Sequence, residues 1–271
     1  MLEILMLVLI CGAGLYGLIL LFFYIFQEKI MFGPGPDKFG DCPEMDQAGA
    51  ETVFFEDLRY YLRLTRSEPD SKPERWFIIF NGITGNACGR TYYFDMFGGW
   101  NSNFLVFEYP GYGQDGNKPD QALILEKALA LLKHLKTLNP TGLPVYIVAQ
   151  SFGTGIATFL ATKIKIKGLI LISPYPSLAT VAQKHYPWLP VKLLMRHPFP
   201  ASDWAAQVQT PVLIFHGTQD RTIPIHLARK QFAAFAGEKE MVEIPDAEHY
   251  DIKDVARSTI REKVRQFLNS T

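Results

Sequence analysis

Cysteine is scarce in this chain. Cys11, Cys42 and Cys88 are the whole complement, too few and too scattered for a disulfide framework, and no C-x-x-C pair points to zinc. An oxidising compartment would let Cys42 and Cys88 bridge; the reading adopted from sequence keeps them as free buried thiols. An excess of charge of either sign is also missing, because 27 Lys and Arg balance 27 Asp and Glu to a net charge of zero. No basic run with interleaved aromatics occurs, so the electrostatic footprint of nucleic-acid binding is lacking and no nucleic-acid partner is expected. Internal repeats and low-complexity segments are absent too, and no motif asks for a metal or an organic cofactor. The sequon Asn269-Ser270-Thr271 at the last three residues carries little weight.

One long apolar run is present. Ile4 to Phe26 contains no charged side chain, long enough at a rise of about 1.5 Å per residue to cross a hydrocarbon core of about 30 Å. A cleaved signal peptide would want a basic start, a shorter apolar core and an A-x-A site. This chain begins Met1-Leu2-Glu3 and stays apolar to Phe26, so an uncleaved transmembrane anchor over residues 1–30 is expected. Lys29 and Lys38 follow the span, a weak lean towards a cytoplasmic C-terminal part. Ala13 and Gly17 form a small-xxx-small pair too common to imply dimerisation.

A Gly- and Pro-rich stretch, Phe32 to Gly40, marks a linker over about 31–50. The remaining 51–271 is long enough for one large α/β domain. Two candidate strands, Thr52–Phe55 and Arg59–Thr65, precede a polar loop from Ser67 to Glu74. Short apolar runs then alternate with helical patterns: Trp76–Phe80, Phe104–Tyr109, Val145–Ala149, Gly168–Ile172, Val212–Phe215 and Met241–Ile244. The clearest helix is Asp120–Leu138, with Leu125, Leu129, Leu132 and Leu135 along one face. Such alternation predicts a mostly parallel sheet with helices on both faces, and a ligand site at the C-terminal ends of its strands.

The residues just past those runs carry the chemistry. After Val145–Ala149 comes Gln150-Ser151-Phe152-Gly153, a strand, a turn bearing serine and a helix, with Ala149 where G-x-S-x-G has its first glycine. Alone, that motif recurs by chance. After Val212–Phe215 comes a loop with Asp220, and after Met241–Ile244 one with His249. His134 and His226 read as helical and surface-like, His185 and His197 fall in the segment after Gly168–Ile172, and His216 ends its strand as the one rival. In the order Ser151, Asp220, His249, the imidazole would take the serine proton and the carboxylate would fix its tautomer. Oxyanion donors are expected from the backbone N–H groups of Phe152, directly after the serine, and Ile83, in the loop Asn81-Gly82-Ile83-Thr84-Gly85-Asn86. The competing reading of that loop is a plain tight turn.

With those residues on hand, the chain from about Thr52 onward resembles an α/β-hydrolase-fold serine hydrolase. More narrowly, it resembles the single-span, membrane-anchored α/β-hydrolase-domain proteins. The loop Glu108-Tyr109-Pro110-Gly111-Tyr112-Gly113 is similar to that family's Asp-x-Arg-Gly-Tyr-Gly, and the run from Pro211 to Asp220 is typical of it. Ala149 for the elbow glycine, Asn81 for the usual histidine and Pro110 for arginine are departures that remove no catalytic group. The resemblance implies an α/β-hydrolase fold and cleavage of a carboxylic ester, thioester or, less often, amide through an acyl-enzyme. It leaves open an aminopeptidase-type serine peptidase and a catalytically silent binding module, since one fold hosts many functions.

The stretch from Ser173 to Thr210 exceeds a simple crossover and reads as a small cap over about 174–209. Its Tyr186, Leu189, Leu193, Leu194, Met195 and Phe199 suit an acyl or lipid-like substrate beside a membrane anchor, and equally suit packing the cap onto the core. Lys184, Lys192 and Arg196 could face anionic headgroups or solvent. Tyr112, Tyr175 and Trp188 are candidate substrate contacts. No protein partner is legible.

Overall fold

Successive side chains of Trp76-Phe77-Ile78-Ile79-Phe80 enter two different cores. Trp76, Ile78 and Phe80 pack into one, Phe77 and Ile79 into the other, as the two-residue period of a strand requires. Both faces are covered, so the run shows no polar alternation. The computed structural model describes residues 1–33, 42–65, 72–112 and 116–271. The expected linker at 34–40 with Lys38, residues 67–71 of the polar loop and Gly113 lie outside the described residues.

The strands are β1 (Glu51–Phe55), β2 (Leu58–Arg63), β3 (Arg75–Phe80), β4 (Ser102–Phe107), β5 (Val145–Gln150), β6 (Gly168–Ile172), β7 (Val212–Gly217) and β8 (Lys239–Ile244). They form one eight-stranded sheet in the order β1-β2-β4-β3-β5-β6-β7-β8. The pairs β1–β2 and β2–β4 are antiparallel and all the others parallel. Each expected run lies on a strand, with ends shifted by up to two residues.

The helices are α1 (Leu2–Met31), α2 (Pro43–Gln47), α3 (Tyr92–Phe97), α4 (Gln121–Leu138), α5 (Phe152–Ala161), α6 (Leu178–His185), α7 (Val191–Leu194), α8 (Ala201–Ala205), α9 (Ile225–Ala234), α10 (Ile252–Val255) and α11 (Arg257–Ser270). Helix α4 begins where Asp120 caps it, its side chain accepting from the Leu123 N–H at 3.0 Å. Leu125, Leu132 and Leu135 of α4 join α5 and α8 in one core, while Ile260, Val264 and Phe267 of α11 join α3 in the other. Helices thus cover both faces of the sheet.

The linker and the cysteines need correcting. Pro43–Gln47 is helical, Cys42, Met45 and Ala50 are buried, and Cys42 is disulfide-bonded to Cys88. A Cα–Cα separation of 5.8 Å brings the two residues within bridging reach. The pair named from sequence as able to bridge in an oxidising compartment is thus bonded, although a separation of 46 says nothing of spatial approach. The cap is packed onto the domain: Leu178 and Val181 of α6 lie against the main core, and Phe199, Ala201, Ala205 and Val208 sit in it.

Helix α1 is 30 residues with none buried, long and apolar enough to cross a membrane. Its far end is not free of the globular part. Glu28 meets Arg196 at 3.2 Å and His197 at 3.1 Å, and Phe32 is buried against the Phe152 and His197 rings.

Candidate active site

Ser151 stands between β5 and α5 with φ +48° and ψ −118°. That left-handed conformation costs a non-glycine residue on the order of 1–3 kcal/mol and persists only where its surroundings dictate it. Here the Ser151 N–H donates to the Ile172 carbonyl at 2.8 Å, and the Gly153 N–H donates to the Asn81 carbonyl at 3.1 Å. The turn brings α5 against β3 so closely that a Cβ on Gly153 would lie 2.3 Å from the Phe80 carbonyl oxygen. Glycine is therefore required at 153. The methyl of Ala149, fully buried between its register partners Phe80 and Leu171, is accommodated.

His249 Nε2 lies 3.0 Å from Ser151 Oγ, and its Nδ1 lies 2.7 Å from Asp220 Oδ2. A carboxylate only accepts, so Nδ1 carries the proton and Nε2 is left to accept from the serine hydroxyl. Asp220 is itself fixed, its Oδ1 accepting from the Ile223 N–H at 2.7 Å. The rival His216 sits behind this line rather than in it. Its Nε2 donates to the Ile223 carbonyl at 2.7 Å and lies 3.5 Å from Asp220 Oδ2. Burial lowers the His216 pKa, against the opposing pull of the Asp220 charge. A neutral His216 is a buttress for the Asp220 loop.

The loop after β3 lies opposite. Ile83 and Gly82 share the wall of a cleft with Ser151. Phe152 is the first residue of α5, so its N–H has no intrahelical acceptor. Several bonds hold the loop: the Tyr109 hydroxyl donates to the Asn81 carbonyl at 2.6 Å, Asn81 Nδ2 to the Gly82 carbonyl at 2.9 Å, and Arg90 to the Thr84 carbonyl at 2.5 Å. Glu108, nearly fully buried, accepts from the Ala87 N–H at 3.2 Å. Burial pushes its carboxyl up to about 8, only partly offset by that N–H and by Arg59 and Arg90.

The cleft over Ser151 has a volume of about 110 Å³. Besides the loop residues, Arg90, Tyr92, Gln150, Thr222, Tyr250 and Lys253 wall it. Gln150 Oε1 accepts from the Tyr92 and Tyr93 hydroxyls at 2.9 and 3.3 Å. Sequence reading missed all six wall residues. Gln150 is the variable position before the serine, but nothing linear ties Tyr92 or Lys253 to it. The expected substrate contacts are elsewhere. Tyr112 is buried against Tyr109, and Tyr175 lies beneath α5 with its hydroxyl donating to the Phe152 carbonyl at 3.1 Å. Trp188 is on the cap tip, against Phe23 of α1. A Cβ on Gly155 would meet the Tyr175 hydroxyl at 2.3 Å, so this tyrosine replaces a side chain in the packing under α5.

No protein-family model matches the chain. The uncharacterized protein Rv2307c of Mycobacterium tuberculosis is 29% identical over 197 residues, spanning 72% of this chain and 69% of that one. Lysophosphatidylserine lipase ABHD12 of Xenopus tropicalis is 25% identical over 248 residues, spanning 79% of this chain and 61% of its own length. Among solved structures, the esterase Pf2001 of Pyrococcus furiosus matches with a TM-score of 0.69 at 17% identity, covering 88% of this chain and 97% of that one.

Proposed function

The chain has the α/β-hydrolase fold, and from that premise we propose that it is a membrane-anchored serine hydrolase of acyl esters or thioesters. The observation that carries this reading is the unbroken line from Ser151 Oγ through the His249 ring to Asp220, at 3.0 and 2.7 Å. In this reading His249 Nε2 takes the hydroxyl proton as Ser151 Oγ bonds to the substrate carbonyl carbon. The Ile83 and Phe152 N–H groups hold the oxyanion, and Asp220 stabilises the imidazolium. Collapse breaks the bond to the leaving group, which takes its proton from His249. Water, deprotonated by the same nitrogen, then releases the acid and restores Ser151.

Lipid-like substrates are favoured by the apolar helix α1, by the cap beside it, and by a relative named as a lipase. An aminopeptidase would need a carboxylate in the cleft to hold a free amine. The wall instead offers Arg90 and Lys253, and the Asp220 carboxylate is engaged by His249. The Cys42–Cys88 bond favours a compartment in which disulfides persist, against the lean drawn from Lys29 and Lys38. The test is hydrolysis of an acyl-ester chain-length series beside aminoacyl amides, by the full chain in detergent. Ester turnover that Ser151→Ala abolishes supports the reading. Turnover of amides alone, or of esters by the Ser151→Ala variant, contradicts it.

A further inference from the structure

We propose that the tip of the cap, Tyr186 to Leu193, is seated in the bilayer alongside α1, so that the lipid surface is its partner. The inference rests on α1 being a membrane span.

Its first support is depth. The cap segment from Trp188 to Arg196 runs parallel to α1, its contacts climbing from Tyr16 to Glu28 as the cap climbs from Trp188 to Arg196. Arg196 pairs with Glu28 at 3.2 Å, the Leu194 carbonyl accepts from Gln27 at 3.1 Å, and the Trp188 carbonyl accepts from the Tyr16 hydroxyl at 2.8 Å. Phe23 touches the Tyr186 and Trp188 rings, with centroids 5.9 and 5.8 Å apart. About 20 residues cross a hydrocarbon core, and the uncharged stretch Ile4–Phe26 is only slightly longer. Wherever that core is set within the stretch, Tyr16 lies about 10 Å or more inside the boundary nearer the cap. The carbonyl it holds therefore lies below the headgroups.

The second support is polar accounting. A loop entering hydrocarbon must satisfy its backbone internally, whereas one in water need not. Gln183 Nε2 is within 3.2, 3.4 and 2.9 Å of the carbonyls of Tyr186, Pro187 and Leu189, and Tyr16 takes that of Trp188. The two N–H groups of the Gln183 amide, the Tyr16 hydroxyl and the Leu189 N–H together give these four consecutive carbonyls four donors. Pro187 and Pro190 bring no N–H, and the Leu189 N–H donates to the Tyr186 carbonyl at 3.1 Å.

The third is the surface. Trp188 is 51% exposed and Leu193 84% exposed, and no charged residue falls between Tyr186 and Val191. Exposed Lys184 precedes the tip and exposed Lys192 lies near its end, both with side chains long enough to reach up towards headgroup phosphates. Between tip and helix lies an apolar cavity of about 150 Å³, walled by Phe23, Ile30, Met31, Leu189 and Leu194.

The test uses the full chain in phosphatidylcholine vesicles whose acyl chains are brominated at mid-chain, with unbrominated vesicles as reference. Of the four tryptophans, Trp76 is buried and Trp100 and Trp204 are half-buried in the globular part. We expect bromolipid to quench most of the Trp188 emission, measured as the difference between wild type and Trp188→Phe. A Leu193→Trp variant adds a second reporter at an exposed position and is expected to add quenchable emission. Chains that float with the vesicles but show neither effect overturn the proposal while leaving the span intact. Chains that fail to float overturn the span and the proposal together.

Discussion

At Ser151 the backbone itself is the first evidence of purpose: a φ of +48° is held against its natural preference. Two neighbours separate the tolerable from the forbidden there. Ala149→Gly removes one buried methyl and is expected to leave ester turnover within a fewfold of wild type. Gly153→Ala drives a Cβ to 2.3 Å from the Phe80 carbonyl oxygen, and is expected to lower both turnover and thermal stability. Asp220→Asn releases the His249 tautomer and is expected to cost on the order of a thousandfold or more in kcat with little change in melting temperature. Steady-state ester kinetics beside calorimetry check all three. The roles proposed for Ser151, Asp220 and His249 were legible because each follows directly on an apolar run, where a parallel sheet gathers its strand ends. Tyr92 was not, since 58 residues separate it from Gln150 and only the fold brings them together.

Among the elements, the loop after β3 is held from two sides, and each tether gives a measurable outcome. Glu108 titrates at about 8 in the folded chain against an ordinary 4.5. The folded state therefore keeps a proton that the unfolded state has lost. Its stabilising contribution is complete below about 4.5 and disappears as the pH rises through about 8. Urea midpoints are expected to fall between pH 5 and pH 8.5, and Glu108→Gln is expected to flatten that slope. The second tether closes a loop of sequence separation 46 between Cys42 and Cys88. By chain entropy such a crosslink is worth about 4 kcal/mol at most, so Cys42→Ser is expected to lower the urea midpoint markedly. The strands were read within two residues because their apolar runs are continuous. Helices α2 and α3 were not, because short elements packed by tertiary contacts carry no sustained period.

For the whole molecule, the proposed anchor and the catalytic part are one assembly. Phe32, the residue just past α1, packs on Phe152, the residue that follows Ser151. Apolar runs outlined the strands of the sheet and the long helix α1, but they held no information about which face of the cap meets α1. That depended on side chains far apart in sequence, Tyr16 with Trp188 and Glu28 with Arg196. Alkaline carbonate extraction of membranes is expected to leave the chain in the pellet, and its release would argue against the span. The central claim is that Ser151 is an activated nucleophile, and mass mapping of a fluorophosphonate adduct tests it most directly. The account predicts one adduct on the peptide bearing Ser151, lost in Ser151→Ala and greatly slowed in His249→Ala. A folded chain that takes no label, or a Ser151→Ala variant labelled like wild type, would contradict it.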